Sequence, residues 1–317
     1  MSFLFNRKGP KENNARDPDD EWNSRWIPDP NSAPDRTWAR IKSSQRFVSS
    51  SIIVANPASS PKQPNTVRFV AISDTHGLHS KPVSAVTIEN LPEGDVLLHA
   101  GDFSNVGSKK DLDNFLDFLS AAERKYSDVI FIAGNHDLSL DTEFYNRHWQ
   151  RFHRSKLPDD TVPLWFETLR RRCPKTKYLQ DSSCTTSVGG LTVYGSPWQP
   201  EFGDWAFNLQ RGTSCAAKWN RIPDGVDVLM THGPPLGRGD LCQPNKNRAG
   251  CENLLEQIQT RIKPSCHVFG HIHEDAGYSS DATTTYINAS TCTLCYRPTN
   301  PATVFDLPVA SETGVKP

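Results

Sequence analysis

From Val67 onward, apolar residues come in short unbroken bursts, each closed by a turn containing glycine, aspartate or histidine. Val67–Ser73, Asp95–Ala100 and Asp128–Ala133 are such bursts, and their length and lack of polar interruption predict buried strands. Between the last two, Leu112, Phe115, Leu116 and Leu119 fall at helical spacing and make one apolar face. Ser108, with Asp111 at the third helical position, is a start signal for that helix. Strands alternating with helices predict parallel pairing and an α/β core. Further strands are predicted at Leu191–Tyr194, Val226–Met230, Cys266–Phe269, Thr285–Asn288 and Ala302–Phe305. A helix from about Cys251 to Ile262 turns Leu254, Leu255, Ile258 and Ile262 inward. Residues 141–175 read as helical and basic, through Arg147, Arg151, Arg154, Arg170, Arg171 and Arg172. That stretch is a solvated face, or alternatively a patch that steers phosphate. No internal repeat is visible.

The first 64 residues lack this periodicity and hold eight of the 24 prolines. Such a composition buries too little apolar area to order itself. Trp22, Trp26 and Trp38 are nevertheless out of place in a purely disordered tail. The segment is expected to drape on the core with a tryptophan or two docked; a partner-binding or lid role is the alternative. The division expected is an N-terminal segment 1–64, one catalytic domain 65–310, and a flexible tail 311–317.

Composition narrows the class. In 317 residues, 36% are hydrophobic, enough for one substantial core. Lys and Arg number 35 against 36 Asp and Glu, so no basic surplus points to nucleic acid. No run of 18 apolar residues occurs, so no membrane helix is expected. The N-terminal apolar stretch is too short for a secretory signal, which makes a reducing, cytoplasmic location the default expectation. The eight cysteines then read as free thiols, with Cys292 and Cys295 as the one Cys-x-x-Cys pair.

Five segments carry the chemistry: Asp74-Thr75-His76, Gly101-Asp102, Gly134-Asn135-His136-Asp137, His232-Gly233 and Gly270-His271-Ile272-His273. Each stands just after an apolar burst, where doubly wound sheets gather their ligands. Carboxylate, amide oxygen and imidazole suit Mn²⁺, Fe or Zn²⁺. The absence of cysteine from the segments argues against a structural zinc site. Taken singly, a glycine–aspartate pair is an ordinary turn and a lone histidine an ordinary core residue. The ordered set, with His271 and His273 one residue apart, is not explained that way. It predicts two divalent cations close together, which clamp the attacking and leaving oxygens of a phosphoryl displacement. Asp102 is the natural carboxylate to bridge them. His136, beside Asn135, is placed to protonate a leaving oxygen. Asp137, His99 and His79 are candidates to hydrogen-bond the ligands. The ring-rich stretch around Trp198, Phe202, Trp205 and Phe207 is either a substrate pocket or a core plug under a long loop. His148, His153 and His267 are expected to play no part.

The ordered pattern resembles the calcineurin-like metallophosphoesterases over about residues 67–306. Gly101-Asp102-Phe103-Ser104, Gly134-Asn135-His136-Asp137-Leu138 and Gly195-Ser196-Pro197-Trp198-Gln199-Pro200 look more particularly like the metallophosphoesterase-domain-containing subgroup. The resemblance implies a four-layer α/β/β/α sandwich of two mixed sheets flanked by helices. It implies one metal on Asp74, His76, Asp102 and His273, and a second on Asp102, Asn135, His232 and His271, with Mn²⁺ first and Fe, Zn²⁺ or Mg²⁺ as alternatives. His136 matches the family's catalytic histidine. The protein Ser/Thr phosphatases of this superfamily continue the second motif to Asp-Arg-Gly; here Phe103-Ser104-Asn105-Val106-Gly107 follows, which disfavours a protein substrate. Some subgroup members lack the first histidine of the last motif and turn over poorly, whereas this chain keeps His271.

The expected activity is hydrolysis of a small phosphoester by metal-bound hydroxide. A proton donor at His136 matters most for poor leaving groups, so phosphodiesters, with cyclic nucleotides first, are the expected substrates. The alternative is a nucleotide-binding regulator of the same fold with little turnover, and a protein partner for the N-terminal segment is a third option.

Overall fold

In the computed structural model, residues 34–54, 60–80 and 84–309 are described. Thirteen strands follow the chain: β1 (Thr66–Ile72), β2 (Val96–Ala100), β3 (Asp128–Ile132), β4 (Thr176–Tyr178), β5 (Ser182–Thr185), β6 (Thr192–Ser196), β7 (Gln199–Pro200), β8 (Asn208–Leu209), β9 (Val228–Thr231), β10 (Cys266–Phe269), β11 (Gly277–Ser280), β12 (Thr285–Asn288) and β13 (Thr303–Pro308). One sheet runs β13-β1-β2-β3-β4, and a second runs β11-β12-β10-β9-β6-β5. In the first, β1 to β4 are mutually parallel and β13 is antiparallel. In the second, β12, β10, β9 and β6 are parallel, with antiparallel β11 and β5 at the two edges.

Alternate residues of the same strands face different layers, which builds the sandwich. Phe69, Leu98, Ile130, Val193, Met230 and Val268 pack between the two sheets. Val70, Leu97, Val129 and Phe131 face outward instead, onto Leu112, Phe115 and Leu119 of the helix Lys109–Ala122 and Trp165 of Thr161–Arg172. On the opposite outer face, Leu229, Phe269 and Tyr286 meet Trp219, Leu254, Leu255 and Ile258 from Thr213–Trp219 and Glu252–Gln257 with its continuation. The result is four layers, helices–sheet–sheet–helices. The central strands carry near-continuous apolar runs because both of their faces are covered.

The helix Lys109–Ala122 begins as its sequence signals. Ser108 accepts from Asp111 N–H while the Asp111 carboxylate accepts from Ser108 N–H, closing a capping box. The basic stretch is broken in two, Thr142–His148 and Thr161–Arg172, with a turn and loop between. Several of its arginines are paired at the surface, Arg147 with Glu143, Arg151 with Asp204 and Arg172 with Asp117.

The described part of the N-terminal segment lies against the core. Trp22 and Trp26 lie outside the described residues, but Pro34–Ile41 is a helix and the chain after it is docked. Ile41 is buried in the outer core. Trp38 lies flat on Gly237, where a Cβ would collide with its ring. Val48 bridges to Ser280 at the edge of the second sheet, and Ile53 bridges to Phe305 at the edge of the first. Residues 34–54 thus form a strap that crosses both sheet edges and covers the unpaired backbone there. No helix among the described residues is long and apolar enough to cross a membrane.

Candidate metal centre

Five parallel strands deliver their carboxyl ends to one side of the sandwich. The residues just beyond β1, β2, β3, β9 and β10 are Asp74, Asp102, Asn135, His232 and His271. The backbone turns sharply at these points. Asp74 (φ 53°), His76 (φ 44°), Asp102 (φ 54°) and His271 (φ 72°) all adopt the left-handed conformation that L-residues avoid. Such strain persists only where surrounding contacts over-determine it, and it concentrates at functional sites. At Gly101 (φ 98°) a Cβ would stand 2.6 Å from His232 Nδ1, so only glycine lets the second and fourth segments approach this closely.

The side chains converge. Ligand-type atoms of Asp74, His76 and His273 lie within 4.8 Å of one another, as do those of Asp74, Asp102 and His232, and those of His76, Asp102 and His136. His232 Nε2 is 2.9 Å, and His271 Nδ1 2.7 Å, from the same Asn135 Oδ1. His76 Nε2 is 3.2 Å from His273 Nε2. The opposite ring nitrogens are anchored on backbone carbonyls: His232 Nδ1–H donates to Ala100, His76 Nδ1–H to Ser104, and His273 Nδ1–H to Thr293, at 2.9, 3.2 and 3.2 Å. That anchoring aims each Nε2 at the centre.

A second layer of hydrogen bonds locks the loops. Asp137 accepts from the N–H groups of Asp102, Ser104 and Gly134 and from Ser104 Oγ, at 2.7–3.0 Å. It therefore ties the second segment to the third. Ser290 Oγ donates to Asp74 Oδ2 at 2.8 Å. His99 acts at one remove: its Nε2 meets Thr75 Oγ1 at 2.9 Å, and His79 meets the same hydroxyl at 3.3 Å. Both histidines hold the turn between Asp74 and His76 and touch no proposed ligand. His267, buried on Thr231 at 2.8 Å, is a core residue.

The charges explain why the site suits cations. Burial alone raises the carboxyl pKa of Asp74 and Asp102, but neighbouring imidazoles outweigh it. Hydrogen bonding and charge from His273 hold Asp74 well below its ordinary value, and the charge of His232 does the same for Asp102. Burial lowers His76 to about 4 and His271 to about 3, leaving neutral rings with free lone pairs. Burial also disfavours the charged form of His232, yet Asp102 overcomes it and lifts His232 to about 9. Two imidazole nitrogens 3.2 Å apart need a proton or a cation between them. Two buried carboxylates, four imidazoles and an amide oxygen around one volume fit divalent metal of the Mn, Fe or Zn type.

Above the ligands opens a cleft of about 390 Å³. His136 stands at its rim, with Nδ1–H donating to Asn105 O at 2.8 Å and the ring stacked on Trp205 at 4.1 Å. Phe202 meets His271 edge-on at 4.7 Å. The third expected pocket residue, Trp198, does not line the cleft. Its Nε1–H donates to Asp181, its ring carries Lys218 at 4.2 Å and packs edge-on to Phe207, so it is a prop beneath the loop. Tyr296, which no sequence motif marks, closes the opposite wall 4.7 Å from His76. The only hint was its place just after Cys295, in the return from β12. No Lys or Arg is among the described residues of the lining.

A family of metal-dependent phosphoesterases is the class that this fold and centre define. The family model for calcineurin-like phosphoesterases matches residues 67–275. Metallophosphoesterase domain-containing protein 1 of human is 45% identical over 253 residues, 80% of this chain and 74% of its own length, and the mouse protein matches equally. A UPF0046 protein of Caenorhabditis elegans, T07D4.2, is 38% identical over 260 residues, 80% of this chain and 63% of its own length. Among solved structures, a phosphopantetheinyl hydrolase of Mycobacterium tuberculosis aligns with a TM-score of 0.43 and 17% identity over 72% of this chain and 90% of that one. The chain belongs to the calcineurin-like phosphoesterase family.

Proposed function

We propose that the chain is a metal-dependent phosphoester hydrolase, specifically a phosphodiesterase acting on cyclic nucleotides or similar small diesters. One observation carries this reading: donors from five separate loops meet beneath a single cleft, with a non-ligand histidine at its rim. Asp74, His76, Asp102 and His273 would hold one cation, and Asp102, Asn135, His232 and His271 the other, with Asp102 shared. Mn²⁺ is the first ion to try, followed by Fe, Zn²⁺ and Mg²⁺. Bound there, the pair supplies Lewis-acid chemistry, polarising phosphoryl oxygens and making water nucleophilic near neutral pH.

The protein's own contribution is orientation and one proton. The Asn105 carbonyl accepts from His136 Nδ1–H, so that in the imidazolium form the second proton, on Nε2, is the one given to the departing oxygen, leaving the neutral Nδ1–H ring behind. That donor matters for alkoxide leaving groups and hardly at all for acidic phenols. Phe202, exposed in the cleft lining, offers a ring face to a base, a contact typically worth ~1–3 kcal/mol. Cytoplasmic residence and a small-molecule partner go with this reading.

The competing possibility is a nucleotide binder with negligible turnover, and His271 separates the two. His271→Gly removes one imidazole and leaves Asn135 and His232 in place. Metal content and hydrolysis should fall steeply, by more than the ~10–100-fold typical of changes around a ligand. Nucleotide affinity should fall less. An unchanged rate would sink the two-metal reading.

A further inference from the structure

The cleft is charged in one direction. Apart from the proposed ligands, Glu274 is the one carboxylate in its lining, and no Lys or Arg among the described residues lines it. Glu274 Oε1 accepts from Gln243 N–H at 2.8 Å, and its carboxylate has no cationic partner among the described residues. It is also held in place. Leu241 N–H donates to the carboxylate of the adjacent Asp275 at 2.9 Å, so the cleft-wall segment 241–243 is tied to the ligand segment twice. Glu274 directly follows His273 in sequence. A carboxylate therefore stands anchored in the cleft wall, one residue along the chain from a proposed ligand and without a Lys or Arg partner among the described residues.

We propose that Glu274 sets the charge of the substrate, admitting phosphoryl groups that carry one negative charge and discriminating against dianions. This rests on the hydrolase reading above. A phosphodiester carries one charge, whereas a monoester carries about −1.5 to −2 near pH 7. The extra charge of a monoester meets Glu274, and no guanidinium or ammonium among the described lining residues offsets it. One unit charge several ångströms away in partly screened surroundings changes affinity by roughly three- to tenfold.

The test uses p-nitrophenyl phosphate and bis(p-nitrophenyl) phosphate, which share a leaving group and differ in charge. Glu274→Gln keeps the shape and the acceptor for Gln243 N–H. The variant should raise the monoester-to-diester ratio of kcat/KM by about three- to tenfold. A binding arm, by calorimetry, compares phenylphosphonate with its monomethyl ester. The dianion should tighten in the variant by the same factor and the monoanion should stay within about twofold. Unchanged affinities and an unchanged ratio would overturn the proposal. The wild-type protein supplies a further check, because raising the salt should narrow its preference for the monoanion. A preference indifferent to salt would also count against Glu274. If metal-loaded protein hydrolysed neither ester, the hydrolase reading would fail, while the phosphonate comparison would still decide the role of Glu274.

Discussion

His136 separates positioning from chemistry most cleanly. Its backbone N–H donates to Asp102 at 2.7 Å, and its ring is set by Asn105 and Trp205 rather than by the ligand set alone. One ring nitrogen nevertheless lies within 4.8 Å of ligand atoms on His76 and Asp102. His136→Ala should retain both metals and lose ~10²–10⁴ in rate on a diester of a poor leaving group. The loss should be much smaller for bis(p-nitrophenyl) phosphate. Equal losses on both would count against the acid role, and loss of a metal by elemental analysis would mean that His136 is a ligand. At this scale the sequence was informative wherever an apolar burst ended in a metal-binding type of residue. Tyr296, Ser290 and Glu274 were not legible, because they reach the cleft on loops whose approach depends on how separate strands stack. Trp198 misled for the same reason. Its neighbours Phe202 and Trp205 face the cleft, while its own indole is drawn under the loop by Asp181 and Lys218.

At the level of elements, strands covered on both faces are visible as apolar bursts, and strands at the edges are not. β4, β5 and β11 are three or four residues long, polar and partly exposed, and composition reads them as loop. The helix Thr213–Trp219 was missed too, since seven residues give periodicity little to show. The order of the strap 34–54 is likewise not visible as local periodicity. That order comes from tertiary anchors, Ile41 in the outer core, Trp38 on Gly237 and backbone bridges to both sheets, rather than from local propensity. Ile41→Ala should cost about 2–5 kcal/mol, as a fully buried aliphatic does. Metal content should be unaffected, since no proposed ligand touches the strap. Urea denaturation checks this, and a change below ~1 kcal/mol would show the strap to be loosely held.

Across the whole molecule, buried neutral histidines tie stability to pH. Burial lowers His79 to about 4 and both His99 and His267 to about 3, and none of them is a proposed ligand. In the unfolded chain each titrates near the usual ~6.5. Below that value the unfolded state binds more protons than the native state, so stability falls as pH drops from ~6.5 toward 4. Three such groups imply a slope of about 4 kcal/mol per pH unit in that window. Urea midpoints that stayed level between pH 7 and 5 would contradict it. The proposed centre joins the same balance from the other side. His232, raised to about 9 by Asp102, must lose a proton before it can coordinate a cation, so metal uptake at neutral pH should release protons.

The central claim is that Asp102 lets two cations occupy one buried site. Titrating metal-depleted protein with Mn²⁺ while following both bound metal and hydrolysis of bis(p-nitrophenyl) phosphate tests it most directly. The account predicts no activity without metal, activity that saturates at two equivalents per chain, and an Asp102→Ala variant that binds neither ion tightly. Full activity at one equivalent, or two tightly held ions in Asp102→Ala, would contradict it.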